Sequence, residues 1–440
     1  MRVVRSANNV RMLTSSKAAL PNLKDIRAQF PALASEVAYF DNAGGSQLPR
    51  CVIEAVTKYM ETSYAQLGGG YEPSVRAAAN VKAAHELVKV FLNVPEGGSV
   101  ILGPSTTALC HLVANAYADA GTGGGRNQII VATAGHEANV GPWARLAARG
   151  FEVTLWPTEM HADGQWRPSM ETLAKLVSKR TRLVAMPQVS NILGEVWDVA
   201  QATRIAHGAG ARMIVDGVAY APHAAPDMKR IGCDWYVYST YKVFGPHMAA
   251  LGGTAEAFGE LTGPNHFFIP RETLPNKFEL GGCSHEGCAA INALSEYAAF
   301  LAGAEAGEAG GVGETPSREL FERAFARVSE LESGLLTRLL EYLASKPRVR
   351  VVGPASGAAG RVCTVAFVHA TRRSSEIATR ANEQGLGIRF GHFYSKRLID
   401  ELTPEFGLLP DQGVVRVSLQ HYNSGEELER LFRYFDVALG

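Results

Sequence analysis

Apolar residues run through this chain in short strand-length blocks, separated by stretches where they recur every three or four positions. Residues 128–132, 151–156, 182–186 and 212–216 are nearly continuous β-rich runs, the pattern of strands buried on both faces. Between or before them, residues 75–91 carry Val75, Ala78, Ala79, Leu87 and Phe91 at helical spacing, and 107–120 and 199–208 predict two further helices. Strands alternating with helices predict an α/β domain around a largely parallel sheet. Residues 303–316 are rich in Ala, Gly and Glu and lose all periodicity, which predicts a junction. Beyond it, helices over 319–345 and 426–439 and strands over 350–352 and 362–368 predict a smaller α+β domain. The expected division is a large domain over 38–303 and a small one made of 1–37 and 310–440.

Composition narrows the class. With 440 residues, 46% of them hydrophobic, the chain can bury a substantial core. Its 43 Lys and Arg balance 43 Asp and Glu, and no basic block stands out, so a nucleic-acid partner is not expected. No apolar run approaches the ~20 residues of a membrane span, so no membrane partner is expected either. The six cysteines form no CxxC motif and have no histidines at zinc spacing, so no metal is expected; free thiols fit a reducing, cytoplasmic setting. Residues 1–24 hold Arg2, Arg5, Arg11, Lys17 and Lys24 without an acid, a composition shared by mitochondrial presequences and by simple basic arms.

Several polar residues follow the strand-like runs. Lys242 and Asp216 each lie at or beyond the end of one, 26 positions apart (242 − 216 = 26). A lysine amine kept reactive in a dry pocket can bond a cofactor aldehyde, and a carboxylate can hold a pyridine nitrogen protonated, so the pair points to pyridoxal phosphate (PLP) chemistry. Ser105, Thr106 and Thr107 open a predicted helix, where unpaired N–H groups make a phosphate seat, although Ser and Thr are also ordinary N-caps. His136 follows the run at 128–132 and offers a flat ring to stack on a planar cofactor. Asn191 follows another run and offers an amide to a cofactor oxygen. The glycines at 121–125 follow a helix and precede a strand, the reverse of a dinucleotide fingerprint, and read as a loop. His285-Glu286 and the Cys283/Cys288 pair fall short of a metal motif.

The ordered set Ser105-Thr106-Thr107, His136, Asn191, Asp216, Ser239 and Lys242 resembles the class V aminotransferase family of fold-type I PLP enzymes, within it the cysteine desulfurase-like subgroup. Residues 39–45, 135–143 and 415–423 support the likeness, which spans 24–440. It implies that Lys242 bonds the cofactor, Asp216 pairs with its ring nitrogen and His136 stacks on it. Thr106, Thr107, Ser239 and Tyr241 would hold the phosphate, and Arg416, with Arg389 and His392 nearby, would receive the carboxylate of an amino-acid substrate. It also implies a homodimer with a shared site, to which residues 278–283 of the partner contribute. In the subgroup a mobile loop after Arg-x-Gly-His carries the cysteine that attacks sulfur; here that run is Arg389-Phe390-Gly391-His392 and Tyr394 stands in the cysteine's place. Ala219, Tyr241 and Gly282 also replace usual polar residues. The implied function is C–S cleavage of a cysteine-type amino acid by α,β-elimination. Epimerisation or transamination, with Tyr394 as a catalytic acid, and non-catalytic PLP binding are the alternatives.

Overall fold

The computed structural model describes residues 20–122, 124–304, 307–310, 315–356, 360–409 and 411–440. Most of the basic arm, Gly123 and part of the 303–316 junction lie outside the described residues.

Seven strands build the main sheet: β1 (Ser99–Gly103), β2 (Gln128–Ala132), β3 (Glu152–Trp156), β4 (Thr181–Pro187), β5 (Arg212–Asp216), β6 (Trp235–Ser239) and β7 (Ala249–Gly253). Their order is β1-β7-β6-β5-β4-β2-β3, and β7 alone runs against the others. The period of two sorts their side chains onto two packed faces. Ile130, Val184, Val215 and Tyr236 join one core, while Ile129, Leu183, Ile214 and Trp235 join the other. That double burial explains why these strands read as continuous apolar runs rather than alternating ones.

Several features depart from the sequence pattern, among them the strands at Arg389–Gly391 and Val414–Ser418, which it did not mark. Strand β3 begins at Glu152, with Phe151 turned into the core before it. Strand β7, of sequence AALGG, has low strand propensity and was not foreseen; it forms because β1 and β6 pair with both of its edges. Its glycines are required by crowding, since a Cβ at Gly253 would lie 2.4 Å from the Trp235 ring.

Among the helices, α1 (Glu72–Leu92), α2 (Thr106–Asp119), α3 (Val199–Gly208) and α4 (His285–Asn292) flank this sheet. The 27-residue helix α5 (Arg318–Ala344) serves two cores. Its first half buries Leu320, Phe321, Phe325 and Val328 with the main core, and its second half buries Leu336, Leu339, Leu340 and Leu343 against a second sheet. That sheet is antiparallel, ordered β8-β9-β11-β10 from β8 (Val349–Val352), β9 (Thr364–His369), β10 (Arg389–Gly391) and β11 (Val414–Ser418), and α6 (Gly425–Leu439) packs on it. No helix of the described residues is long and apolar enough to cross a membrane.

The two sheets meet close to Asn191. Gly194 adopts φ 71°, accepts a hydrogen bond from Val362 N at 2.9 Å, and would place a Cβ 2.3 Å from the Thr364 carbonyl oxygen. Gly194→Ala is therefore expected to destabilise the fold by about 1–3 kcal/mol through the left-handed backbone alone, read as a lower urea midpoint; an unchanged midpoint would show that this junction is not a tight contact.

Candidate active site

The C-terminal ends of parallel strands all open on one edge of a sheet, where α/β proteins place their ligands. Here β1 leads to Ser105, β2 to His136, β4 to Asn191, β5 ends on Asp216, and β6 ends on Ser239 just before Lys242. One cleft is walled by Ser105, Thr106, Thr107, His136, Asn191, Asp216, Ser239, Tyr241 and Lys242. Nine side chains that the sequence offered separately thus converge.

Each is held by local structure. Ser105 caps α2 by accepting from Ala108 N at 3.2 Å, which leaves the first N–H groups of the helix unpaired within it. Thr106 and Ser239 share a hydrogen bond between hydroxyls at 2.8 Å, so the helix start and the strand end are locked together. Lys242 closes a 3₁₀ turn, where Thr240 Oγ1 donates to Pro246 O at 2.6 Å. Tyr241 stacks on His247 with ring centroids 4.3 Å apart.

The electrostatics of the cleft follow from burial. Lys242 is 8% exposed, and its amine has no hydrogen-bond or ion-pair partner among the described residues. Burial first, then repulsion by Arg416, pull its pKa down to about 8 against the attraction of Asp216 and Asp41. Burial pushes the Asp216 carboxyl up to about 6, opposed by the Val218 N–H, which donates to it at 2.9 Å, and by Lys242. His136 falls to about 3, through burial and then the Lys242 and Arg416 charges. Its Nδ1 accepts from Ala138 N at 3.0 Å, so its ring is neutral, with the proton on Nε2.

Arg416 is placed differently from expectation. It is buried, but its guanidinium is already engaged: one nitrogen donates to Asp41 Oδ1 at 2.9 Å and another to Asn191 O at 3.3 Å, while Phe393 covers it with its ring centroid 3.8 Å away. A buried guanidinium requires an anion, and Asp41 supplies it. Arg389 pairs with the other Asp41 oxygen at 3.2 Å. The Arg416 guanidinium is thus already occupied, whereas Arg389 is exposed and engages Asp41 through one nitrogen only. The Nε of Arg416 has no hydrogen-bond partner among the described residues.

Asn191 also differs. Its Nδ2 donates to Phe393 O at 2.9 Å and its Oδ1 accepts from Ser395 Oγ at 2.7 Å, so the amide braces the 391–395 loop. That loop is tied down: Phe393 and Tyr394 both sit at positive φ, 47° and 58°, and Tyr394 O accepts from Glu137 N at 2.8 Å. His392 is exposed, and its Nδ1 accepts from Tyr394 N at 3.1 Å. Tyr394 stands at the mouth, with its ring 5.3 Å from that of His136. Asp41, Phe393 and Ser395 carry no motif, and sequence reading missed their roles; only the 39–45 stretch hinted at Asp41.

The Aminotransferase class-V family model matches residues 38–431. The chain belongs to this family. It is accordingly a PLP-dependent enzyme of fold type I, and the match covers both sheets. Among its relatives, the "Aminotransferase-like protein FGM3" of Gibberella zeae is 35% identical, across 95% of this chain and 98% of that one. A cysteine desulfurase of Klebsiella pneumoniae is 28% identical, across 93% and 96%. The apo structure of a cysteine desulfurase from Thermococcus onnurineus covers 96% of this class V chain and 99% of its own, at 23% identity and a TM-score of 0.80, a likeness of fold.

The cofactor fits these residues. The Asp216 carboxylate is 4% exposed and makes no ion pair among the described residues, so a protonated ring nitrogen meets an unpaired buried acid. The Lys242 amine, without a partner among the described residues, and the first residues of α2 line the same cleft. A direct check is competitive acetylation of the cofactor-free protein with peptide mass spectrometry. The free amine is the reactive form, so labelling of Lys242 should rise with pH through about 8, well below the ~10.4 of ordinary lysines. Asp216→Asn removes a charge that favours the ammonium and should lower that midpoint further; a midpoint near the ordinary value, unmoved by Asp216→Asn, would contradict the arrangement.

Proposed function

We propose that this enzyme cleaves the Cβ–S bond of a cysteine-type amino acid by α,β-elimination. The observation that carries the reading is that, among the described residues, no cysteine lines the cleft, and the Tyr394 ring lies 5.3 Å from that of His136 on its wall, so in this reading sulfur leaves without passing through a protein persulfide. A phenol, with pKa near 10, is a far weaker nucleophile at neutral pH than a thiol and forms no persulfide. For cysteine itself the balance is cysteine plus water giving pyruvate, ammonia and hydrogen sulfide.

Bound PLP supplies an electron sink for the pair left at Cα. In this reading Thr106, Thr107, Ser239 and Tyr241 hold its phosphate, His136 lies neutral against its ring, and Asp216 keeps a proton on its nitrogen. Lys242 would hold the cofactor and would take the substrate's Cα proton at Nζ; burial pulls its pKa down to about 8, which suits a base at neutral pH. Arg416 and Arg389 receive the substrate carboxylate, which must compete with Asp41 for them. A homodimer with a shared site completes the reading, supported by the large apolar side chains Tyr64, Phe267, Phe268 and Leu280 left in solvent.

A second reading, transamination or epimerisation with Tyr394 as the acid, is supported by the aminotransferase-like relative and by the Tyr394 ring lying 5.3 Å from that of His136. A panel of cysteine, S-substituted cysteines, alanine and other amino acids separates the two. Elimination predicts pyruvate and sulfide in equal amounts with no need for a 2-oxo acid acceptor, and Tyr394→Cys protein that still binds PLP. Turnover that requires an acceptor, or α-proton exchange without pyruvate, would replace elimination with the second reading. PLP binding with no turnover of any panel member would leave a non-catalytic binder.

A further inference from the structure

Away from the cleft, one group of metal-ligating side chains converges among the described residues. Donor atoms of His85 on α1, and of Glu279 and Cys283 in the connection leading into α4, lie within 4.8 Å of one another. Cys288, in the first turns of α4, places its Sγ 3.5 Å from that of Cys283 but lies outside the set whose donors are all within 4.8 Å of one another, so it ligates the same cation only by moving inward. The elements carrying them are fastened together, since Asn80 on α1 donates to His285 O at 2.7 Å and accepts from Asn292 at 2.9 Å. Sequence spacing pointed away from a metal because the histidine lies 194 residues upstream of Glu279.

The details suit a cation. His85 Nδ1 is 2.8 Å from Val81 O, and a carbonyl only accepts, so Nδ1 bears a proton and Nε2 points at the cluster. A ligating imidazole anchored through its other nitrogen on a backbone carbonyl is the usual metal-site arrangement. Glu279 Oε1 is fixed by Leu102 N at 2.7 Å and by His85 Nε2 at 2.7 Å, while its Oε2 makes no hydrogen bond among the described residues. With Zn–S near 2.3 Å, tetrahedral sulfurs stand about 3.8 Å apart, close to the spacing the two thiols already have. Zn–N and Zn–O near 2.0 Å set those donors about 3.3 Å apart, so the His85–Glu279 contact must open by about 0.6 Å.

We propose that His85, Glu279, Cys283 and Cys288 form a site for one borderline-soft divalent cation, zinc by its donor set. Two thiolates, an imidazole and a carboxylate are ligands that zinc favours, and four protein ligands make a closed, structural site. Binding releases three protons, one from each thiol and the one shared by His85 and Glu279, so affinity rises with pH. The cation would pin the 279–288 segment to α1 and, through Leu102, to β1, three residues before the cap of α2 (105 − 102 = 3).

The test uses the full-length protein, stripped with chelator, loaded with zinc or cobalt(II) alone and desalted. One equivalent of zinc should remain, X-ray absorption should show sulfur neighbours at about 2.3 Å, and cobalt should give the thiolate charge-transfer and intense visible bands of a tetrahedral site. Cys283→Ser, Cys288→Ser and His85→Gln should each weaken zinc retention by at least about tenfold, on the scale of lost metal-site partners. Wild-type protein that holds less than about a tenth of an equivalent, or whose zinc shell lacks sulfur, overturns the proposal without reliance on any variant folding. Full zinc retention by both cysteine variants overturns it as well.

Discussion

The constraint on which the rest depends is the removal from water of one amine and one carboxylate in the same cleft. Asp216 closes a strand buried on both faces, and Lys242 lies one short turn beyond the next strand of the sheet. Burial opposes the charged form of both, moving Asp216 up to about 6 and Lys242 down to about 8, on the order of 3 kcal/mol apiece. The signs are opposite. Asp216, raised from 3.8 to about 6, contributes stability that is fully present below pH 3.8 and lost as pH rises through 6. Lys242, lowered from 10.5 to about 8, contributes stability present above 10.5 and lost as pH falls through 8. Between about 6 and 8 both groups are charged and both are poorly solvated, and their mutual attraction only partly compensates. A cofactor that bonded the amine and offered a cationic nitrogen to the carboxylate would relieve both costs.

Around that pair the architecture acts as a clamp. The parallel sheet delivers the ends of β1, β2, β4, β5 and β6 to one edge, and the second sheet closes over it through Arg416 on β11 and the loop after β10. Asp41, Arg416, Arg389 and Phe393 form a charged and aromatic latch at this closure. In the proposed reading, a substrate carboxylate bound at Arg416 would have to exchange with Asp41, which would set a cost on its entry.

Much of this was legible in the chain. Strand ends could be read because the middles of β4, β5 and β6 are apolar, and polar residues at or just beyond their ends mark the mouth of the sheet; Asp216 and Lys242 stood out for that reason. Strand β7 was not legible, since two alanines, a leucine and two glycines become a strand only when β1 and β6 supply hydrogen bonds on both sides. The pairing of Asp41 with Arg416 spans 375 positions and has no periodic signature, so its effect on Arg416 was invisible. Asn191 was read as a cofactor ligand from its place after a strand, yet its amide also braces Phe393 and Ser395, contacts set by a loop more than 200 residues later. Local rules found the groups, and long-range contacts decided how free they are.

The most direct measurement is borohydride reduction of the PLP-loaded protein followed by peptide mass spectrometry. The account predicts that the cofactor becomes fixed to Lys242 and that Lys242→Ala protein carries none. The same reducible adduct on the Lys242→Ala protein, or fixation at another lysine of the wild type, would contradict it.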